Sequence, residues 1–235
     1  MDIPTKPNTN EHKIDEKNNH KKAYNSERKQ NPMNVSEIVS FLWEKQEFLR
    51  SHYKKNKYKD VILPLVVLTR LDIELKDTKT KVLEKIVELE KKKIKSGPAM
   101  DNDLNRITKK NFNNKSEFEN LHDVLGDDAK DVKLNLQDYI NGFSENIQDI
   151  FVKFKFKDVI AELEEKKILW KAVEHFAKYE DMLSKLDNHD MGTVYEELIR
   201  KANEASHETA GDHFTPRDVI KTLVEITFLP DIKSI

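Results

Sequence analysis

The sequence predicts an all-α fold class, and three observations carry this prediction. Charged and apolar residues occur in nearly equal shares, 36% and 37%, with lysine, glutamate, leucine and isoleucine abundant. Only five glycines and seven prolines occur in 235 residues, fewer turn-forming residues than a β-sandwich needs. Beyond residue 33, apolar side chains recur at helical spacing over most of the chain. We therefore expect an orthogonal bundle of helices.

Composition excludes several classes of site. The sequence holds no cysteine, which excludes disulfides, thiolate metal sites and cysteine nucleophiles. The histidines lack the i, i+4 spacing with an intervening carboxylate that a helical metal site requires, so no metal site is expected.

No apolar run approaches the roughly 20 residues that span a bilayer, and the N-terminus lacks the apolar segment of a secretory signal. We expect a soluble, cytoplasmic protein without a membrane partner.

The N-terminal part of the chain divides at about residue 33. Residues 1–32 contain mainly polar residues and a few apolar ones. We expect a disordered tail there, because so little apolar surface cannot offset the entropy cost of ordering. Met33 stands where the apolar pattern begins and is a candidate for the native start residue. The first helix is expected to follow, with Asn34 or Ser36 as its N-cap. Its apolar stripe consists of Val35, Ile38, Val39, Leu42, Leu49 and Tyr53.

The central helix is expected over residues 58–71, which are apolar on nearly all sides. Pro64 within this segment either kinks the helix or lies in its first turn. A third, amphipathic helix is expected over residues 78–95, where Gly97 and Pro98 stop it. Residues 99–115 are expected to form a loop or a small hairpin.

The middle of the chain continues the helical pattern. Ser116 and Glu119 have the spacing of a capping box, which predicts a short helix that ends near Gly126. Residues 128–150 are expected to be helical, with an interruption near Gly142. Both glycines therefore mark breaks between helices.

Residues 151–156 alternate between apolar and polar, which is compatible with a short strand, although the flanking signals favour a helix. Further helices are expected over residues 158–183, 193–206 and 217–228. Turn-forming residues at 187–192 predict a joint and the best domain boundary. We therefore divide the chain into a tail (1–32), a helical N-terminal domain (33–185) and the start of a second domain (186–235).

The loop before the last helix has a distinctive local chemistry. Gly211 permits a sharp turn, Thr215 is a good N-cap, and Pro216 suits the first helical position. Such a loop presents backbone N–H groups at a helix N-terminus, which favours binding of a carboxylate or phosphate. The alternative is an ordinary capped helix start, which the local physics alone favours.

Residues 209–217, with the sequence TAGDHFTPR, resemble the G-x-(F/Y)-(F/Y)-T-P-(R/P) loop of the modification subunits of type I restriction-modification systems. These subunits are γ-class adenine-N6 DNA methyltransferases. Residues 188–192, 195–198 and 58–65 (NHDMG, YEEL and YKDVILPL) are similar to further stretches of the same subunit. The resemblance implies a Rossmann-like methyltransferase fold beginning at the second domain. His213 departs from the commonest aromatic residue at its position.

The resemblance also implies a cofactor, S-adenosylmethionine, whose amino-acid end the loop would contact. The residues implied are Gly211, Phe214, Thr215 and Pro216. The catalytic apparatus of the family further needs the motifs D-P-x-x-G-x-G and N-P-P-(F/Y). The sequence contains neither, since no glycine follows Gly211 and no two prolines are adjacent. We expect a subunit truncated before its catalytic motifs, with no catalytic residue and no activity or cofactor binding of its own.

The resemblance implies partners as well: a specificity subunit, a second modification subunit, a restriction subunit, and DNA in the assembled complex. The net charge of −2 gives no overall basic bias, but cations cluster locally. The first group is Lys54, Lys55, Lys57 and Lys59, with Lys45 and Arg50 nearby, and the second is Lys91, Lys92, Lys93 and Lys95. These groups would contact DNA phosphates, or they form a solvated helix face, which the interleaved glutamates favour.

Two other functions remain open at this point. The chain is alternatively a free-standing interaction protein that binds modification or specificity subunits, or a generic helical DNA-binding module unrelated to methylation.

Overall fold

The computed structural model describes residues 34–93, 97–206 and 217–232, and these residues form helices joined by short loops. The helices are α1 (Val35–Glu44), α2 (Glu47–Arg50), α3 (Tyr58–Leu75), α4 (Lys79–Lys91), α5 (Pro98–Thr108), α6 (Leu121–Leu125), α7 (Val132–Asn141), α8 (Glu145–Lys153), α9 (Phe156–Glu165), α10 (Leu169–Ala177), α11 (Glu180–Leu183), α12 (Asn188–Ser206) and α13 (Arg217–Ile232). Short 3-10 turns at Lys55–Lys57 and Lys76–Thr78 precede α3 and α4. No strand occurs within these ranges, and the all-α prediction is confirmed. The predicted tail, residues 1–32, lies outside the described residues.

Helix α1 begins where the sequence predicts. The side chain of Asn34 accepts a hydrogen bond from the Ser36 N–H at 3.2 Å, so Asn34 is the N-cap. The helix ends at Glu44. The later residues of the predicted stripe lie in α2 and in the turn after it, and Leu49 in α2 is fully buried.

Helix α3 is the centre of the fold. It packs against α1, α9, α10, α11 and α12, and this arrangement explains why it is apolar on nearly all sides. Its fully buried residues include Ile62, Leu65 and Leu68. Pro64 lies in the second turn of α3 and is itself buried, so the first-turn alternative is wrong.

The expected loop or hairpin at residues 99–115 is wrong over most of its length, because α5 occupies residues 98–108. Gly97 adopts a positive φ of 103°, and Pro98 then begins α5 at a position where a missing N–H costs nothing. These two residues therefore start a helix, whereas the sequence predicted that they stop one. Helix α5 buries Met100 and Leu104 against Val82 and Leu89 of α4 in a separate small cluster.

One capping prediction also differs from the structure. Helix α6 begins at Leu121, and its N-cap is Asn120, whose side chain accepts from the N–H groups of residues 122 and 123. The capping box at Ser116 and Glu119 is therefore wrong, although the helix does end before Gly126 as expected.

The strand alternative at residues 151–156 is wrong, because α8 runs to Lys153 and α9 begins at Phe156. Lys155 between them has a positive φ of 51°, which turns the chain so that Phe151 and Phe156 stack with ring centroids 5.6 Å apart. Both phenylalanines therefore face the core, as a continuous strand would not allow.

Residues 188–192 of the predicted joint at 187–192 are helical. The Asp187 side chain accepts a hydrogen bond from the Asp190 N–H at 2.8 Å and caps α12, which runs through Gly192. Arg70 on α3 then fixes the start of α12. Its guanidinium donates to the carbonyls of Leu183 and Leu186 at 3.1 and 3.0 Å and to the Asn188 side chain at 3.2 Å. The turn prediction is wrong, and the domain boundary stays a prediction.

A buried polar network joins α3 to α6 and α7. Asp72 on α3 accepts hydrogen bonds from the Tyr139 hydroxyl at 2.6 Å and from the Leu121 N–H at 3.1 Å. Burial raises the pKa of Asp72, although both hydrogen bonds oppose the shift. Since unpaired polar groups are costly in the interior, this network fixes how α6 and α7 meet α3.

A buried lysine extends the same network. Lys79 is 4% exposed, and its Nζ donates to the Asn114 carbonyl at 3.1 Å and to the Ser116 carbonyl at 2.8 Å. Burial lowers the pKa of Lys79 to about 8. Lys79 therefore anchors the connection between α5 and α6 beneath the start of α4.

Two substitutions at Asp72 should distinguish the contribution of its hydrogen bonds to stability from the contribution of its charge. Asp72→Ala is expected to lower the free energy of unfolding by about 2–4 kcal/mol, because the Tyr139 hydroxyl and the Leu121 N–H lose their acceptor. Asp72→Asn is expected to cost less, about 1 kcal/mol, since its amide oxygen can accept from the Leu121 N–H while its NH2 group donates to the Tyr139 hydroxyl oxygen. Urea unfolding of both variants measures the difference, and equal losses would contradict this account.

The stabilities of wild type and Asp72→Asn should also differ in their dependence on pH. Because the folded-state pKa of Asp72 is raised, its contribution to stability is fully present below the ordinary carboxyl pKa and is lost as pH rises through the folded value. The wild-type chain should therefore gain stability relative to Asp72→Asn as pH falls through this window.

Two glycines offer a matched test of packing. A Cβ at Gly142 would lie 2.6 Å from the Ser116 nitrogen, whereas a Cβ at Gly192 would meet nothing within 4 Å. Gly142→Ala should destabilise the fold by about 1–3 kcal/mol. Gly192→Ala, inside α12, should stabilise it by about 0.5–1 kcal/mol. Thermal unfolding measures both, and a Gly142→Ala variant as stable as wild type would refute the packing described.

Candidate nucleic-acid interface

The first basic cluster lies on one exposed turn between α2 and α3. Lys54, Lys55 and Lys57 are exposed, and Lys59 is half-buried in the first turn of α3. Lys57 forms an ion pair with Asp60 at 3.4 Å, and both side chains remain largely exposed. The structure therefore brings together all four lysines that the sequence singled out, and one of them has a carboxylate partner.

Buried apolar side chains on both sides hold this turn at the surface. Phe48 and Leu49 are buried before it, and Tyr58 is buried after it. The tilted rings of Tyr58 and Trp43 have centroids 5.8 Å apart. Because these side chains occupy the core, the residues between them must lie at the surface, where lysine is favourable.

One member of the second basic group, Lys92, forms an ion pair along its own helix. Lys85 and Lys92 both contact the Glu88 carboxylate, at 2.8 and 2.6 Å. These hydrogen bonds lower the pKa of Glu88 to about 2. The arrangement is that of a solvated helix face. Lys95 lies outside the described residues.

A cavity of about 500 Å³ opens beside the exposed turn. We call it the α1–α12 cavity, because residues at the ends of both helices line it. Its charged and aromatic lining consists of Trp43, Glu44, Arg50, Lys55, Tyr58, Lys201 and Glu204. Burial raises the pKa of Tyr58, and the nearby Arg50 guanidinium opposes this shift. Cations from α2, the 3-10 turn and α12 thus share one concave surface.

Sequence reasoning did not find Lys201 or the cavity. Lys201 is far from Lys55 in the chain, and no local pattern relates them. Only the packing of α12 against α1 and the 3-10 turn brings them together. The sequence signal was limited to the apolar face of α12, which includes Met191, Val194 and Leu198.

The expected cofactor residues Gly211, Phe214, Thr215 and Pro216 lie outside the described residues. The helix expected after them is present as α13. Apolar side chains on α13 are exposed, among them Val219, Leu223 and Ile226 at 46%, 56% and 67%.

Among the described residues, no three histidine, aspartate or glutamate side chains are grouped so as to hold a metal ion. Within the same ranges, no helix combines the length and apolarity needed to cross a membrane.

Two family models match the chain. The HsdM N-terminal domain matches residues 38–176, more than half of the sequence, and the N-6 DNA Methylase matches residues 186–235. No curated protein and no solved structure gives a significant match. The second family implies S-adenosylmethionine-dependent methylation by the whole subunit, and the first implies a role in assembling a type I restriction-modification complex. The chain belongs to the HsdM N-terminal domain family and carries the N-terminal part of a type I restriction-modification DNA methyltransferase subunit.

Proposed function

We propose that this chain is the assembly and DNA-contacting part of the methyltransferase subunit, and that the turn carrying Lys54, Lys55, Lys57 and Lys59 contacts DNA phosphates. One observation supports the DNA contact above all: three of these lysines are exposed on a single turn whose flanks are anchored in the core. An anchored turn presents its charges without a large ordering cost on binding.

The DNA contact proposed here is electrostatic and independent of base sequence. Each lysine that neutralises a phosphate releases condensed counterions, so affinity falls steeply as salt rises. The chain has a net charge of −2, and attraction therefore depends on this local cluster. In the family, base-sequence recognition belongs to the specificity subunit.

We propose three protein partners in the assembled complex: the specificity subunit, a second modification subunit and the restriction subunit. The assembly role of the HsdM N-terminal domain family supports this proposal. Exposed apolar side chains such as Val152 and Leu134, at 72% and 63% exposure, are compatible with burial against a partner. The complex would act in the cytoplasm, where its DNA substrate lies.

For the cofactor, we propose that Gly211, Phe214, Thr215 and Pro216 contact the amino-acid end of S-adenosylmethionine in the whole subunit. Backbone N–H groups at a helix N-terminus suit the methionine carboxylate. This chain alone is not expected to bind the cofactor, because its sequence lacks D-P-x-x-G-x-G, whose glycines allow close approach of the backbone.

Removing the four lysines tests the DNA contact. The variant K54Q/K55Q/K57Q/K59Q should bind a fluorescent DNA duplex more weakly than wild type. The slope of log K against log salt should fall by about 0.9 for each phosphate that is no longer neutralised. Fluorescence anisotropy between 50 and 200 mM salt, the range over which such binding weakens most, measures both quantities.

A matched control carries the same charge change on exposed lysines elsewhere: K81Q/K130Q/K171Q/K185Q. It should retain most of the wild-type affinity. Equal weakening by both variants would attribute binding to net charge alone, and absence of wild-type binding would refute the DNA contact.

Two measurements test whether the chain alone binds S-adenosylmethionine and transfers its methyl group. Isothermal titration of the chain with S-adenosylmethionine should give no binding heat, and incubation with labelled cofactor and DNA should transfer no methyl group. Transfer above the protein-free blank would refute the expectation that this chain is inactive alone.

A further inference from the structure

We propose that the α1–α12 cavity is a binding site for a backbone phosphate of DNA, with Arg50, Lys55 and Lys201 as its donors. The inference rests on the proposed DNA contact and extends it from one turn to a built concave site. It also assigns a DNA contact to α12, within the segment that matches the N-6 DNA Methylase family.

The geometry of the cavity supports a bound anion. Arg50 ends α2, Lys55 begins the 3-10 turn, and Lys201 lies one turn before the end of α12. All three line the same cavity of about 500 Å³, which exceeds what a single phosphate group occupies and admits its attached sugars. Three donors that line one cavity from separate elements suit the oxygens of one phosphate.

The charge balance of the cavity also favours an anion. No ion pair between described residues involves Arg50, Lys55 or Lys201. Two carboxylates, Glu44 and Glu204, also line the cavity, and Glu204 accepts one hydrogen bond from Arg200, which lies outside the lining. Three cations against two carboxylates leave the lining with one excess positive charge.

Two features of the cavity disfavour binding of an anion. Glu44 is a lining residue, and the last turns of α1 and α12 carry the negative ends of their helix dipoles. The cations must offset this field, so removing one of them should cost affinity. Removing the Glu44 charge should increase affinity.

DNA fits this site better than an acidic peptide segment does. Lys54 and Lys57 continue the positive surface along the adjacent turn, and a duplex strand presents phosphates at regular intervals along such a surface. The guanidinium of Arg50 matches phosphate oxygens in a bidentate manner, while the lysines act as point charges.

The experiment uses single substitutions in the cavity that avoid the four lysines of the exposed turn. R50Q and K201Q should each weaken binding of a fluorescent duplex about tenfold at low salt, equivalent to about 1.4 kcal/mol. Each should lower the salt slope by about 0.9. E44Q should tighten binding severalfold, and K201R should restore wild-type affinity.

K185Q is the matched control, because Lys185 is exposed and precedes the opposite end of α12. It should change affinity by less than twofold. Urea unfolding of every variant checks that the fold is intact, and K201R provides a second check on position 201.

The outcomes separate this site from the proposed DNA contact. If K201Q and R50Q bind like wild type while K54Q/K55Q/K57Q/K59Q binds weakly, the phosphate site is refuted and the DNA contact stands. If wild type does not bind DNA, both fail. If K201Q and R50Q leave DNA binding intact but prevent association with the specificity subunit, the cavity is a protein contact and the phosphate site is refuted.

Discussion

The burial of α3 on nearly all sides is the constraint on which the rest of the structure depends. A central helix without a solvent face can carry polar residues only where other elements form hydrogen bonds with their polar groups. Asp72 is satisfied by the Tyr139 hydroxyl and the Leu121 N–H, which places α6 and α7. Arg70 is satisfied by carbonyls at the end of α11 and by the Asn188 side chain, which places α12. Two side chains on one helix thus orient both halves of the bundle.

The position of α12 has a direct consequence for function. Because Arg70 fixes its start, α12 runs across α1 and the 3-10 turn, and its last turns reach the exposed basic surface. Helix α12, which lies in the segment that matches the N-6 DNA Methylase family, is therefore packed on helices of the HsdM N-terminal domain. Residues from both matched segments line a single cavity, and a DNA contact made there would involve both.

The sequence analysis was most successful where the helical period is strong and where a motif is local. Helix α1 with its Asn34 cap, the central helix and the helix after residue 216 were predicted, and so was the family. It failed at α5, whose Asn and Asp residues are typical of loops, although Met100 and Leu104 bury against α4. It also failed at residues 187–192, where Asp187 caps a helix and Arg70, distant in sequence, holds the start of that helix.

The sequence by itself therefore determined the fold class, the identity of the family and the lysines of the exposed turn, because each depends on periodicity or on residues close together in the chain. Only the tertiary structure decided that Arg50, Lys55 and Lys201 share a cavity and that α12 belongs against α1 and α3. Such contacts join residues more than a hundred positions apart. They follow from the hydrogen bonds that polar side chains on α3 form with other helices, which no local pattern encodes.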